Sequence, residues 1–455
     1  MSKRVADLLV ETLESAGVRT CYGIIGDTLN RIAHAIDRSE IDWVHMRHEE
    51  AGAFAAQAEA LLTGRLTACA GSCGPGSLHF INGLYEANRN RAPVILIATQ
   101  IIRQDIGFES IQEIDFSDVF RGCSVFCEMI VTPEQARRKT VAACQAALTK
   151  RGVAVLVVPA DVANAPAHDE PLYTVHTRRP VIRPNEADLD AIAAILNKSD
   201  AITLYAGAGC AGAHDAVVAM AARLKAPMAH TSRGKDFVEY DNPYDVGMTG
   251  IIGGRAGYRA ILDCDVLLLL GADFAWGQFY PNNATIIQID ADPTHLGRRH
   301  PVTIGAVGDI KTTLEALLPR LQQHDDGAFL AIHRERFEAD TAAAKAEAVS
   351  GHRDFRDLPD QDHQQACSGG RVVRGGRRHR RRMDASPHRY QRQAPYLRQP
   401  ASRNDGQCDA IGPRVAEVPT RAAGHLSIRR RRVRHAAWRA ADGGSGELAD
   451  QDRHL

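Results

Sequence analysis

Short apolar runs alternate with helix-patterned segments along the first 325 residues, and this alternation restricts the chain to one kind of architecture. Val5, Leu8, Leu9, Leu13 and Ala16 share one face of a helix, and Cys21–Ile25 is a short apolar strand that stops at Gly26. A helix over 28–38, a strand at 42–46, a helix over 49–63 and a strand at 66–70 follow. A glycine-rich turn, Gly71 to Gly76, opens a helix that runs to Asn88, and Val94–Thr99 and Val153–Val158 are further strands. Near-continuous apolar strands separated by helices predict parallel sheets covered on both faces. A proline-rich stretch over 166–188 has no periodicity and reads as a linker. A second series begins at Leu189, with strands at Ala201–Tyr205, Pro227–His230, Val266–Gly271 and Thr285–Asp290 and a closing helix over 309–323. The expected fold class is α/β, with two consecutive parallel-sheet domains over 1–165 and 189–326 and a charged, Ala-rich connector over 327–360.

Composition changes abruptly after that connector. The chain of 455 residues is formally neutral, with 55 Lys+Arg and 55 Asp+Glu, but the balance averages two unlike parts. Residues 361–455 hold 20 Arg, no Lys and 9 Asp+Glu, a net +11, which leaves −11 for residues 1–360. Lys is used freely up to Lys345 and never after it. On composition alone this tail would be disordered or nucleic-acid binding. The longest apolar run, Ala216–Ala222, is far below the ~20 residues of a membrane span, and no secretory signal is visible. Ten scattered cysteines include two close pairs, Cys69/Cys73 and Cys123/Cys127, without zinc spacing, so buried free thiols in a cytoplasmic protein are expected.

Two constellations could carry chemistry. Gly207-Ala-Gly209-Cys-Ala-Gly212 follows a strand and is expected to open a helix, matching the dinucleotide fingerprint. Glycines there permit a tight turn and let N–H groups at a helix N-terminus approach a pyrophosphate. The acid expected ~20 residues later is absent, and the next strand runs into Arg233 and Lys235, so a phosphate-rich cofactor held partly by these two stays open. His48-Glu49-Glu50 sits where a strand gives way to a helix. Acidic residues suit a helix N-terminus electrostatically, and a buried carboxylic acid kept partly protonated for proton transfer suits it too. The pattern alone leaves both readings open.

The neighbours of Glu49 carry a resemblance. Gly23-Ile-Ile-Gly26-Asp27, Arg47-His-Glu49 with Ala53-Phe-Ala-Ala56, Gly71-Ser-Cys-Gly74-Pro75-Gly76 with Asn82-Gly-Leu-Tyr, and Gln112-Glu113 resemble the thiamine-diphosphate enzymes related to pyruvate oxidase. Arg233-Gly-Lys235, the run Asp241–Gly250, Gly271-Ala-Asp-Phe274 and Ile289–Pro293 are similar to the flavin-binding domain of pyruvate oxidase and quinone-dependent pyruvate dehydrogenase. The likeness covers about 1–325. It implies a thiamine-pyrimidine-binding domain followed by a Rossmann-like FAD-binding central domain, and oxidative decarboxylation of pyruvate or a close 2-oxo acid with electrons passed to FAD and then to quinone or oxygen. By resemblance, Glu49 is the catalytic glutamate that hydrogen-bonds the aminopyrimidine ring and promotes loss of the thiazolium C2 proton. Gly26, Asp27, Gly74, Pro75 and Asn82 would shape the pocket, with Gln112 at its mouth. Gly250, Ile251, Ile252 and Gly253, then Gly271, Ala272, Asp273, Phe274 and Ala275, then Asp290, Asp292 and Asp309 would surround FAD, together with Gly207, Gly209, Arg233 and Lys235. The resemblance also implies a homo-oligomer, dimer or tetramer, in the cytoplasm or, for an intact version, at the periphery of the inner membrane. Membrane attachment itself is not assessable from these residues.

Such enzymes need a third domain whose Gly-Asp-Gly motif binds Mg2+ and through it the diphosphate; the chain as written offers no residue for that metal. Back-translating Leu426–Ala440 and starting one base later permits a Gly-Asp-Gly-Gly run followed by Phe-Ala-Met-Leu-Leu-Gly-Glu-Leu. Ser402–Ile411 in the same frame permits His-Gly-Thr-Met-Ala-Asn-Ala-Met-Pro. Both look family-like, and they fall in the expected order. A frameshift between roughly 346 and 375 would account for them and for the arginines, because displaced GC-rich codons become CGN. On that reading no nucleic acid is a partner, and this literal chain would be inactive. The alternatives are an acetolactate synthase-like or 2-oxo-acid decarboxylase relative, or a non-catalytic nucleotide-binding remnant.

Overall fold

The computed structural model describes residues 3–167 and 171–349, except for the side chains of 347–349. The Arg-rich tail, read above as disordered or non-native, lies outside the described residues.

The first α/β unit runs α1 (Val5–Ser15), β1 (Thr20–Gly23), α2 (Asn30–Asp37), β2 (Asp42–His45), α3 (Glu49–Thr63), β3 (Thr67–Gly71), α4 (Pro75–Leu78), α5 (Ile81–Arg89), β4 (Val94–Gln100), α6 (Phe116–Phe120), β5 (Phe126–Met129), α7 (Ala136–Lys150), β6 (Val153–Pro159) and α8 (Ala160–Asn164). Its strands form one sheet in the order β2-β1-β3-β4-β6-β5, every pair parallel. Every residue of β3, β4 and β6 is buried. One face carries Leu8, Leu9, Leu13, Ile95, Ile97 and Leu156, and the other Phe80, Leu84, Leu96, Phe116 and Val155. The alternating side chains of each strand thus enter two separate cores, as a sheet covered on both faces requires.

The second unit runs α9 (Glu186–Leu196), β7 (Ile202–Ala206), α10 (His214–Leu224), β8 (Met228–His230), α11 (Lys235–Val238), β9 (Asp245–Met248), α12 (Arg255–Leu262), β10 (Val266–Leu270), β11 (Thr285–Asp290), β12 (Ile304–Val307), α13 (Ile310–Leu317) and α14 (Ala328–Val349). Its sheet has the order β12-β11-β10-β7-β8-β9 and is again parallel throughout.

The structure differs from the sequence reading in several places. The strand expected over Cys21–Ile25 ends at Gly23, where an added Cβ would stand 2.1 Å from the Ala70 carbonyl oxygen. The single helix expected from the glycine turn to Asn88 is two, α4 and α5, separated by His79 and by Phe80, whose ring is fully buried. The helix over 309–323 stops at Leu317 and tightens into a 3₁₀ turn over Leu318–Arg320, because Pro319 has no N–H to continue it. Strands β5, β9 and β12 were not foreseen. The connector contains a 22-residue helix, α14. His333 of this helix is buried, and Phe337 lies against Gly247 of β9, where an added Cβ would meet its ring at 2.8 Å.

Candidate functional site

In a parallel sheet a crevice opens beyond the C-terminal strand ends where successive connections leave in opposite directions. In the first sheet that point lies between β1 and β3, since the chain passes from β1 outward to β2 and returns to β3 on the other side. The loop after β1 and the glycine-rich loop after β3 meet there. A Cβ added at Gly26 would stand 2.6 Å from Ser72 Cβ, and one at Gly76 would stand 2.4 Å from Ser72 Oγ. Gly74 has φ +68°, and its added Cβ would lie 2.8 Å from Gln112 Cβ. The three loops therefore meet closely, with no side chain interposed from these glycines. Pro75 supplies the first residue of α4, where its missing N–H is harmless.

Glu49 enters this crevice because α3 starts directly after β2. The His48 ring accepts the Glu50 N–H at 3.3 Å and so caps the helix, and Gly64, at φ +70°, closes its other end. Glu49 is only 8% exposed. Its Oε2 lies 3.1 Å from His79 Nδ1, and its Oε1 lies 3.8 Å from the Cβ that Gly76 lacks. His48 stacks on His79 with ring centroids 5.0 Å apart and planes 20° from parallel. One turn along, Asn82 Nδ2 donates to Glu50 Oε1 at 2.6 Å.

The mouth of the crevice is tied by a chain of short contacts. The Cys73 thiol donates to Gln112 Oε1 at 3.3 Å, and the Cys73 N–H donates to Thr28 Oγ1 at 3.0 Å. The Thr28 and Thr99 hydroxyls are 2.7 Å apart, and Thr99 donates to the Gly71 carbonyl at 3.0 Å. Burial pushes the Cys73 thiol above its ordinary range, with the nearby Asp27 charge adding to the rise and the Thr28 hydrogen bond opposing it. The neutral thiol is therefore available as a donor. Gln112 holds a left-handed backbone, φ +66°, which a non-glycine residue adopts only when its surroundings impose it. Asp27 is exposed and accepts the N–H of its neighbour Thr28 at 2.8 Å.

A second crevice lies between β7 and β10 of the second sheet, where the same reversal of strand order occurs. Cβ atoms at Gly207 and Gly209 would stand 2.3 Å from the Gly271 carbonyl oxygen and 2.6 Å from Gly271 Cα. These glycines are thus required by contact between the two loops, whatever else binds there. The expected helix does not open at the fingerprint: Ala208–Cys210 is a 3₁₀ turn, Gly212 is left-handed at φ +77°, and α10 begins at His214. Several charged residues assigned to FAD have partners within the chain. Arg233 donates to the Asn90 carbonyl at 2.8 Å, and Lys235 pairs with Glu239 at 3.4 Å. Asp273 pairs with Arg298 and, at 2.9 Å, with Arg299, and these charges hold its carboxyl below the usual range against its burial. Asp290 contacts His295 Nδ1 at 3.2 Å, Asp292 accepts from Thr294 at 2.9 Å, and Asp309 caps α13 through the Thr312 N–H at 3.0 Å. Gly250–Gly253 forms a turn closed by the Gly253 N–H to the Gly250 carbonyl at 3.1 Å, with Ile251 and Ile252 exposed; Ala272 and Phe274 are buried, Ala275 is exposed, and Trp276 stands against Gly250.

Residues 3–119, which contain the whole first crevice, match the family model described as the thiamine pyrophosphate enzyme N-terminal TPP binding domain. Residues 189–317 match the thiamine pyrophosphate enzyme central domain. An uncharacterized 42.6 kDa protein in the isoamylase 3′ region of Pseudomonas amyloderamosa is 51% identical over 330 residues, which cover 72% of this chain and 83% of that protein. The chain belongs to the thiamine pyrophosphate enzymes. It is also 28% identical over 327 residues to pyruvate oxidase of Lactiplantibacillus plantarum, covering 70% of this chain and 54% of that enzyme. Acetolactate synthase isozyme 2 large subunit of Escherichia coli is 30% identical over 330 residues, with 70% and 60% covered. The chain thus spans a little over half the length of these two relatives.

For a thiamine pyrophosphate enzyme the sequence assigns Glu49, Gly26, Gly74, Pro75 and Gln112 to the first crevice, and the fold gathers them there. His48, Ser72 and Cys73 stand in its motifs without a role, and His79 is not named. His79 lies 30 positions from its partner Glu49, with no periodicity linking them. Among the described residues no group of three or more His, Cys, Asp or Glu could hold a metal ion, and no helix is long and apolar enough to cross a membrane.

Proposed function

We propose that this chain derives from an enzyme that decarboxylates pyruvate or a close 2-oxo acid with thiamine diphosphate and passes the electrons to FAD and then to quinone or oxygen. The observation that carries the reading is the buried Glu49 carboxylate beside the Gly76 backbone, in a crevice whose glycine loops close on Ser72 and Gln112. That arrangement suits the pyrimidine ring of thiamine diphosphate. Oε1 would take the hydrogen bond to the ring, the loops that close-pack through Gly26, Gly74 and Gly76 would shape the wall around it, and Gln112 would stand at the entrance. Bound thiamine diphosphate supplies an electron sink that lets a 2-oxo acid lose CO2. The chain's own part is to bind and orient the ring and to hold a proton-transferring carboxylate at Glu49.

FAD is assigned to the second crevice and the Gly250–Gly253 loop, with Trp276 as its aromatic wall. Because Arg233, Lys235 and Asp273 already have partners within the chain, the fit rests on backbone and apolar contacts more than on charge. Mg2+ and the diphosphate would require the Gly-Asp-Gly run that appears when the tail is read one base later, so the written chain should show little or no turnover. A homo-oligomer, a cytoplasmic location and an intact version at the inner membrane belong to the same proposal.

The test uses two proteins: the chain as written, and one expressed from a gene with the frame restored between codons 346 and 375. With pyruvate, thiamine diphosphate, Mg2+ and a dye or quinone acceptor, the restored protein should bleach its flavin and turn over, and the written chain should not. Turnover of the written chain would overturn the tail reading. Carbon–carbon condensation by the restored protein without flavin reduction would favour the acetolactate synthase alternative, which the likeness to that enzyme keeps open.

A further inference from the structure

Glu49 has two carboxylate oxygens, and the neighbours found for them lie outside its own helix. His79 is placed to decide which oxygen faces the crevice. It follows α4, its ring is about half exposed, and its Nδ1 lies 3.1 Å from Glu49 Oε2 while Oε1 is left beside Gly76. His48 fixes the plane of that ring by stacking on it, and His48 is itself fixed by capping α3. His79 lies in the break between α4 and α5 and Asn82 in the first turn of α5, where His79 reaches Glu49 and Asn82 reaches Glu50. The two adjacent carboxylates are thereby held by separate partners on one neighbouring segment.

We propose that His79 is a positioning residue for Glu49: its Nδ1–H donates to Oε2 and so presents Oε1 to the ligand ring, with His48 as the plate that keeps the imidazole in plane. This rests on the thiamine reading for the ligand, but the Glu49–His79 contact itself does not. A neutral imidazole that donates from Nδ1 must carry its proton there, leaving Nε2 free to accept. A histidine held only by packing has no reason to prefer that tautomer.

The experiment has two arms, both on the full chain. Nitrogen-15 imidazole spectra, with His79 assigned by its loss in His79→Asn, should show the neutral ring protonated on Nδ1 in the parent and on Nε2 in Glu49→Ala. The same tautomer in both proteins would overturn the proposal. In the second arm, thiamine diphosphate with Mg2+ is titrated against the parent, His79→Phe and His79→Asn, the last keeping a donor near the Nδ1 position. Loss of a hydrogen bond to a charged group predicts about tenfold weaker binding for His79→Phe. His79→Asn should stay within about twofold of the parent. Equal affinity for all three would overturn the positioning role. Where the written chain binds no thiamine diphosphate, as its lack of the Gly-Asp-Gly run predicts, the same titration on the frame-restored protein and its two His79 variants decides; no binding there would sink the thiamine reading, and the tautomer arm alone would then decide the Glu49–His79 contact.

Discussion

Arg91 and His295 join the two α/β units: the Arg91 guanidinium lies 2.7 Å from Nε2 and 3.2 Å from Nδ1 of a nearly buried imidazole. Arg91 sits just past α5 with a left-handed backbone, φ 55°, and His295 is at the same time in contact with Asp290 and Asp292. Beside it, Arg233 reaches back to the Asn90 carbonyl. The helix that carries Asn82 at one end is thus anchored on the second unit at its other end.

Arg91→Ala and His295→Ala should each destabilise the chain, and a double-mutant cycle in urea should return a coupling of about 1 kcal/mol. Strict additivity would show that the pair carries no energy. Arg91→Gly is the sharper variant, because it relieves the left-handed backbone while removing the contact, and should fall between the parent and Arg91→Ala.

Two glycines of the first unit should separate folding from binding. An added methyl at Gly23 meets a backbone carbonyl that cannot turn away, so Gly23→Ala should lower stability by about 1–3 kcal/mol. At Gly76 the nearest obstacle is Ser72 Oγ, at 2.4 Å, which can rotate away. In the frame-restored protein Gly76→Ala should therefore keep most of the stability and weaken thiamine diphosphate binding, as read by thermal unfolding and titration on the same samples. A Gly76→Ala protein that binds like the parent would remove this loop from the site.

Helix α14 should loosen in acid. Burial of His333, with the Arg336 charge adding and Asp263 opposing, drops its imidazole from 6.5 to about 4. A group depressed in the folded state favours folding above its unfolded value, and that contribution is lost as pH falls from 6.5 toward about 4. Hydrogen exchange over α14 should accelerate through this window, and His333→Phe should remove the acceleration.

The His230 cluster should act in the opposite sense. Burial alone would lower His230, but Asp245 at 3.4 Å and Glu239 at 3.2 Å outweigh it and raise the imidazole above 6.5. Burial raises Asp245 from 3.8 to about 6, against the His230 charge. Both shifts make stability fall as pH rises, Asp245 between 3.8 and about 6 and His230 as pH passes through its raised value. Lys235 and Arg334 also face this cluster, from α11 and α14. Glu239→Gln removes one of the two carboxylates that keep His230 charged, so denaturant midpoints should depend less on pH above neutrality; an unchanged slope would count against it.

The parallel architecture was legible because β3, β4 and β6 bury every residue, which leaves an uninterrupted apolar run that no half-exposed strand would show. The three unforeseen strands are all edge strands of their sheets, and each breaks the apolar run, with Glu128 in β5, Asp245 in β9 and Gly305 in β12. Helix α14 docks through little more than Phe329, His333 and Phe337, too few apolar positions to make a stripe along 22 residues. At the first crevice, Glu49 was found through its motif, whereas the His79–Glu49 and Cys73–Gln112 contacts are made by loops distant in sequence and leave no local pattern.

Gly207, Gly209 and Gly271 occupy one another's space, and this has a consequence for how the second crevice can vary by descent. A single base change that adds even one carbon at any of the three sets it against the main chain of the opposite loop. No compensating trim is available there, since the opposing residue is already the smallest the code provides. The two loops can therefore drift only if the strands beneath them move apart first, and lineages that keep this sheet must inherit both loops together.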